Sequence, residues 1–321
     1  MQISKLFLSI LILSISVNVY AYKKASVPAG FQEMNAYITD INFNAWSIIR
    51  DTLTFKHYRG TLKANDQQHG GEYLIKFDFY QTKNTRYQKA PLIVYVPPMK
   101  LSDNINQLND LIPTYFTKKG YHLLLVHVDE DFIEDTVNLD KLDNYLVRNN
   151  VAIMQAIDFF TSQSEFSFID KDKIAAFSIS MGAIRMPYLL AADPRILRGV
   201  IIMGGGGVSN ILATSNMPRI VNFRQKIMKE EGYRYPEEFV NHVRRYISYE
   251  NTDIAPYIDR NRVRMVISLL DKIVPTFTQD NLWRALNKPK RLKSLSGHYT
   301  IVLDIQRVLR FSYKSYRDIF R

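Results

Sequence analysis

The sequence predicts an α/β fold whose mostly parallel sheet is covered by helices on both faces, and three observations carry that reading. From about residue 90, short and wholly apolar runs alternate with stretches of helical periodicity. The runs are rich in branched residues, as a parallel strand buried on both faces requires. The stretches between them gather apolar residues on one helical face, so strand and helix alternate as they do in βαβ units.

In chain order, the apolar runs are Leu92–Val96, Leu123–Val126, Ile174–Phe177, Val200–Met203 and Val263–Leu270, the last with Arg264 near its start. Leu139, Leu142, Leu146, Ile153, Ile157 and Phe160 fall near one face of a helix. Ile105, Leu108, Ile112 and Tyr115 do so less cleanly, with Pro113 in the way. Upstream, Tyr73–Tyr80 alternates in part, which suits an antiparallel edge strand, and Trp46 to Leu62 reads as a hairpin-like segment. Residues 208–257 hold no buried-strand run. They read as two or three amphipathic helices, with Pro218 and Pro236 near starts and Gly232 at a break. An insertion of that size between two strands is a candidate lid. Ile211, Leu212, Ile220, Phe223 and Ile227 are expected to wall a pocket. Arg219, Arg224, Lys226, Arg244 and Arg245 are expected to face water or an anionic surface.

The 321 residues, 46% hydrophobic and 23% charged, exclude a disordered or fibrous chain. With no cysteine there is no disulfide scaffold, thiolate metal site or cysteine nucleophile. The formal charge of +11 is spread over scattered clusters, and no helix-turn-helix, zinc-finger or RNP pattern accompanies it. Nucleic acid is therefore not expected as a partner, and attraction to anionic cell-envelope surfaces is a simpler use of the charge. Lys5 precedes a short apolar run, Leu6 to Val17, and Val19-Tyr20-Ala21 offers a cleavage site. The run is short for a spanning helix and is interrupted by serines. Residues 1–21 thus read as a signal peptide, with an uncleaved anchor as the alternative, and the protein is expected to be exported. Residues 22–71 form an N-terminal extension with edge strands, and 72–321 the main domain.

Ser178-Ile179-Ser180-Met181-Gly182 follows the strand at Ile174 and precedes a helical stretch, Ala183 to Ala192. A nucleophile elbow needs this strand–turn–helix context, with small residues two before and two after the serine. Ser180 would then sit near a helix N-terminus, where developing negative charge is favoured. A serine nucleophile needs a base, and the base an orienting acid. Asp271 follows the run ending at Leu270, and His298 stands in Ser296-Gly297-His298-Tyr299 after Leu292–Leu295. Both fall at C-terminal strand ends, where open α/β sheets place their ligands.

In these motifs, over roughly residues 72 to 321, the sequence resembles the α/β-hydrolase superfamily. The resemblance rests on Ser178–Gly182, on Asp271-Lys272-Ile273-Val274-Pro275 and on Gly297-His298, in the order Ser, Asp, His. It implies an eight-stranded, mostly parallel sheet and a serine hydrolase that works through an acyl-enzyme, with Ser180, His298 and Asp271 as catalytic residues. It implies no cofactor and no metal. Two positions depart from the pattern. Ser178 stands where glycine is usual, and Pro97-Pro98-Met99 stands where a His-Gly loop supplies an oxyanion N–H. Proline has no N–H, so set against that pattern the oxyanion donors are the backbone amides of Met99 and Met181.

Gly204–Gly207 reads as a flexible turn into the lid rather than a dinucleotide site, because Ser209 occupies the sixth position of the G-x-G-x-x-G pattern. His57, His69, His122, His127 and His242 show no metal-ligand spacing. His122 and His127 should point to opposite faces of a strand, and His127 and Asp129 suit packing or loop bonding better than the site. The expected function is an exported serine hydrolase acting on a small or lipid-like carboxylic ester, with a thioester or amide as variants. The competing readings are a non-catalytic binding protein on the same fold and a serine peptidase.

Overall fold

The computed structural model describes residues 26–37, 40–66, 71–84, 88–99, 106–127 and 137–320. The expected signal peptide, His69 and Asp129 lie outside the described residues.

Nine strands form one sheet: β1 (Ile41–Asp51), β2 (Phe55–Asp66), β3 (Gly71–Thr82), β4 (Ala90–Val96), β5 (His122–Val126), β6 (Ile169–Ile179), β7 (Ile196–Ile202), β8 (Val263–Ser268) and β9 (Arg291–Ser294). Their order is β1-β2-β3-β5-β4-β6-β7-β8-β9. The six strands from β5 to β9 across this order run parallel, and β1, β2 and β3 are antiparallel additions. The sheet has one strand more than the eight the resemblance implies. The extra strand is β1, paired to β2 through a tight turn in which Thr52 Oγ1 accepts the amides of Thr54 and Phe55. Tyr73–Tyr80 is antiparallel as expected, but it lies third from the edge, because the hairpin of β1 and β2 covers its outer side.

The wholly apolar runs are buried because helices cover both of their faces. All seven residues of β4 and all five of β5 are buried. The first helix, α1 (Ala29–Met34), precedes the sheet, and on one face of the sheet α2 (Asn106–Lys118) and α10 (Ile305–Arg317) supply Ile112, Phe116, Val308, Leu309 and Tyr316. Tyr316 Oη donates to Ala176 O at 2.7 Å and pins α10 to β6. On the other face, α3 (Leu142–Ser162), α4 (Met181–Ala192) and α9 (Thr276–Ala285) pack through Val151, Ile157, Met186, Leu190 and Leu282. Pro113 is accommodated inside α2, where Thr117 Oγ1 donates to the Pro113 carbonyl at 2.8 Å.

Between β7 and β8 the chain forms α5 (Val208–Thr214), α6 (Pro218–Glu230), α7 (Pro236–Arg244) and α8 (Asn251–Ile254), with prolines at the first turns of α6 and α7. Ile211, Leu212 and Ile220 are buried in a third apolar cluster that includes Met99, and Met181 packs against it. The turn before α5 is held tightly rather than being the flexible joint its glycines suggest. A side chain on Gly206 would come within 2.7 Å of the Leu282 backbone nitrogen. Buried Glu250 accepts the amides of Val208 and Ser209, and Asn251 bonds Gly207 N, Gly205 O and Ile184 O. Arg224, expected at the water-facing side, turns inward instead. It donates to the carbonyls of Leu212 and Ser215, which have no partner further along their ended helix.

Candidate active site

Ser180 is the single residue between β6 and α4, and its backbone (φ 54°, ψ −119°) is one that side-chain-bearing residues rarely adopt. Two hydrogen bonds hold it there, from Ser180 N to Ile202 O and from Ile184 N to Ser180 O, both 2.9 Å. The flanking small residues have separate reasons. A Cβ on Gly182 would stand 2.3 Å from Val96 O and 2.5 Å from Pro97 O, so only glycine lets α4 start against the loop after β4. Ser178, in the position where glycine is usual, fits because its hydroxyl is buried and donates to Val200 O at 3.0 Å.

The structure brings Ser180, His298 and Asp271 together, although 118 and 27 residues of chain separate the successive pairs. Ser180 Oγ lies 2.9 Å from His298 Nε2, and His298 Nδ1 lies 2.9 Å from Asp271 Oδ2. β8 ends at Ser268, but Leu269 N and Leu270 N still bond to Ser294 O and Ser296 O, which carries the ladder up to Asp271. The Asp271 carboxylate is buried and fully used. Oδ1 accepts the amides of Ile273 (2.9 Å) and Val274 (3.0 Å), and Oδ2 accepts Gln279 Nε2 (3.1 Å) beside His298. Such bonding fixes the carboxylate's rotamer.

Gln279 is the residue that sequence reasoning missed. It is buried on α9, donates also to Val274 O (2.8 Å), and accepts Ser268 N (3.0 Å), so it locks the acid to the end of β8. Nothing in the periodicity of 276–285 marks it; an isolated glutamine eight residues after the acid was the only signal. Below His298, Ser268, Ser294 and Ser296 bond to one another, and Ser294 Oγ donates to Asp304.

Met181 begins α4, and its amide points from a helix N-terminus. Met99 is buried in the loop after β4, the loop that Gly182 touches through Val96 and Pro97. Met99 belongs to the apolar cluster that Met181 packs against.

His127 serves a different centre. Together with His57 and Arg59 it bonds the buried carboxylate of Asp78 on β3. Burial pushes that carboxyl up, but the bonds from His127, His57 and Arg59 outweigh it and hold the group well below the usual carboxylate range. His122 takes the opposite face, among Phe79 and Phe168, where burial pushes its imidazole down to about 4. A cleft of about 480 Å³ opens between α6, α7 and residues 137–140, lined by Phe223, Ile227, Arg219 and Lys226. None of the three site residues lines it.

No family model and no curated protein matches the chain. Solved structures do. It is similar to an acetyl xylan esterase from Paenibacillus sp. R4, with a TM-score of 0.61 and 16% identity over 88% of this chain and 90% of that one. Acetyl xylan esterase 1 from Thermoanaerobacterium sp. JW/SL YS485 matches at a TM-score of 0.56 and 14% identity, over 89% and 94%. An acylaminoacyl peptidase of Pyrococcus horikoshii matches at 0.56 and 17%, over 83% of this chain but 41% of its own. At these identities the likeness speaks of architecture. Together with the strand order and the strand–Ser180–helix turn, it establishes that this protein has the α/β-hydrolase fold.

Proposed function

We propose that the protein is a serine hydrolase that cleaves a carboxylic ester through an acyl-enzyme. The observation that carries this is the unbroken chain of 2.9 Å contacts from Ser180 through His298 to Asp271. As Ser180 Oγ attacks the ester carbonyl, its proton passes to His298 Nε2, and the carboxylate of Asp271 stabilises the imidazolium through Nδ1. The amides of Met181 and Met99 hold the oxyanion, the first at a helix N-terminus where the dipole adds to the hydrogen bond. His298 then returns the proton to the leaving alcohol, and in the second half it activates water against the acyl-Ser180 ester. The preference for an ester is supported by the two acetyl xylan esterases, which the chain matches over most of both lengths.

Fluorophosphonate labelling tests this directly. The intact protein should be labelled at Ser180, Ser180→Ala should not be, and p-nitrophenyl esters of rising chain length should then define the acyl preference. A folded protein that neither labels nor hydrolyses any of these esters would be a binding protein on the same fold. We also infer export, from the apolar run and Val19-Tyr20-Ala21. Its test is the N-terminal sequence of the protein recovered from the cell envelope or medium, expected to begin at Tyr22.

A further inference from the structure

The loops that carry Asp271 and His298 are ringed by apolar side chains that the fold leaves in solvent. Leu270 is 63% exposed, Leu295 83%, Tyr299 63% and Leu303 86%, and Phe277 and Val302 are open as well. These residues belong to one braced surface. Leu270 N donates to Ser296 O at 2.9 Å, Gly297 N to Thr300 Oγ1 at 2.7 Å, and Ser294 Oγ to Asp304 Oδ2 at 2.7 Å. The same turn that exposes Val302 and Leu303 buries Ile301 and Ile305, so the chain had interior positions at hand and still points these side chains outward. Single exposed leucines need no explanation, whereas a contiguous apolar patch at the mouth of a site marks a surface that meets something.

The charge around the patch says what it meets. The loops that carry the patch, residues 270–277 and 293–304, hold Lys272 and Lys293, with Asp271 and Asp304 in them and Asp280 just beyond. All three aspartates are engaged: Asp271 with His298, Asp280 with Arg291, and Asp304 with Ser294 and Arg307. Lys272 and Lys293 stand exposed beside Leu270 and Leu295. Two such collars facing each other would repel, while an anionic lipid surface offers both an apolar layer and opposite charge.

We propose that this collar docks the protein on an anionic lipid surface, with the mouth above Ser180 turned toward the bilayer. The proposal does not depend on the hydrolase reading. Where both hold, docking presents the site to esters carried in the membrane. The test is sedimentation of the full chain with vesicles of phosphatidylcholine alone and of phosphatidylcholine mixed with phosphatidylglycerol. Partition should be strong on the mixed vesicles, weak on the neutral ones, and reduced by added salt. Leu295→Ser with Leu303→Ser should lower partition roughly a hundred-fold, about ten-fold for each leucine withdrawn from the apolar layer. Lys272→Glu with Lys293→Glu should abolish the preference for mixed vesicles. Partition is compared between variants of one chain, so any contribution from residues outside the collar cancels in the ratio. The side chains replaced are exposed, so unchanged thermal unfolding verifies that each variant is folded. Equal partition on both vesicle types, unchanged partition of the leucine pair, or a dimer that the leucine pair dissociates would each overturn the proposal. Labelling of Ser180 by fluorophosphonate in solution is read separately. A chain that labels but does not partition loses only the docking, and one that partitions but does not label loses only the hydrolase reading.

Discussion

Replacing Gln279 by leucine tests whether the acid at this site is held by the fold or only by its histidine. The two side chains are close in volume, so the change removes hydrogen bonds without opening a large cavity. Three groups lose a partner: the Asp271 carboxylate at Oδ2, which keeps His298 but gives up a charge-assisted bond, the carbonyl of Val274 and the amide of Ser268. Each buried group left unsatisfied costs about 1–3 kcal/mol, and burial of the leucine returns about 1.5–3 kcal/mol. Three such costs less that return centre on a net loss of about 4 kcal/mol, read as a lower urea midpoint at unchanged slope. Freed of one constraint, Asp271 should orient His298 less well, and labelling of Ser180 should slow by about ten- to hundred-fold. Gln279→Glu keeps the shape but sets a second carboxylate beside Asp271, so it should be worse than leucine in both readouts. If Gln279→Leu stays within about 1 kcal/mol of the parent and labels Ser180 at the same rate, the claim that α9 positions the acid is wrong.

Other expectations follow from strain, charge and burial. Ser180→Gly should end fluorophosphonate labelling yet raise stability by about 1–2 kcal/mol in urea, because glycine adopts φ 54° without the steric cost that serine bears. Arg185 is buried, none of its three guanidinium nitrogens has a hydrogen-bond partner among the described residues, and its guanidinium carbon lies 5.4 Å from the Tyr145 ring centroid. Arg185→Met should therefore stabilise the fold by about 1–4 kcal/mol, and a large loss would show that the charge has an unrecognised role. His122 titrates near 6.5 when unfolded and near 4 in the fold, so the folded state binds its proton less readily. Its contribution, about 3 kcal/mol, is present above pH 6.5 and is lost as pH falls toward 4. His122→Gln, which keeps an acceptor for Thr82 N, should flatten that part of a stability–pH profile measured in urea.

What the sequence determined by itself was whatever burial on both faces or a short local motif imposes. The runs Leu92–Val96, Leu123–Val126 and Val200–Met203 could be nothing but interior strands, because no other placement hides so many consecutive branched side chains. Ser178–Gly182 announced its turn because a serine at φ 54° needs small neighbours on both sides. Tertiary structure decided what depends on partners distant in the chain. The hairpin of β1 and β2 displaced Tyr73–Tyr80 from the edge, since strand pairing is settled by which backbone groups remain unpaired, and alternation along one strand does not record that. Gln279 on α9, Asn251 at the start of α8 and Glu250 just before it are polar residues with no distinguishing spacing; they acquired roles only when folding buried them beside Asp271 and the first turn of α5. The collar of Leu270, Leu295, Tyr299 and Leu303 was equally silent, because hydrophobicity is written in the sequence and exposure is not.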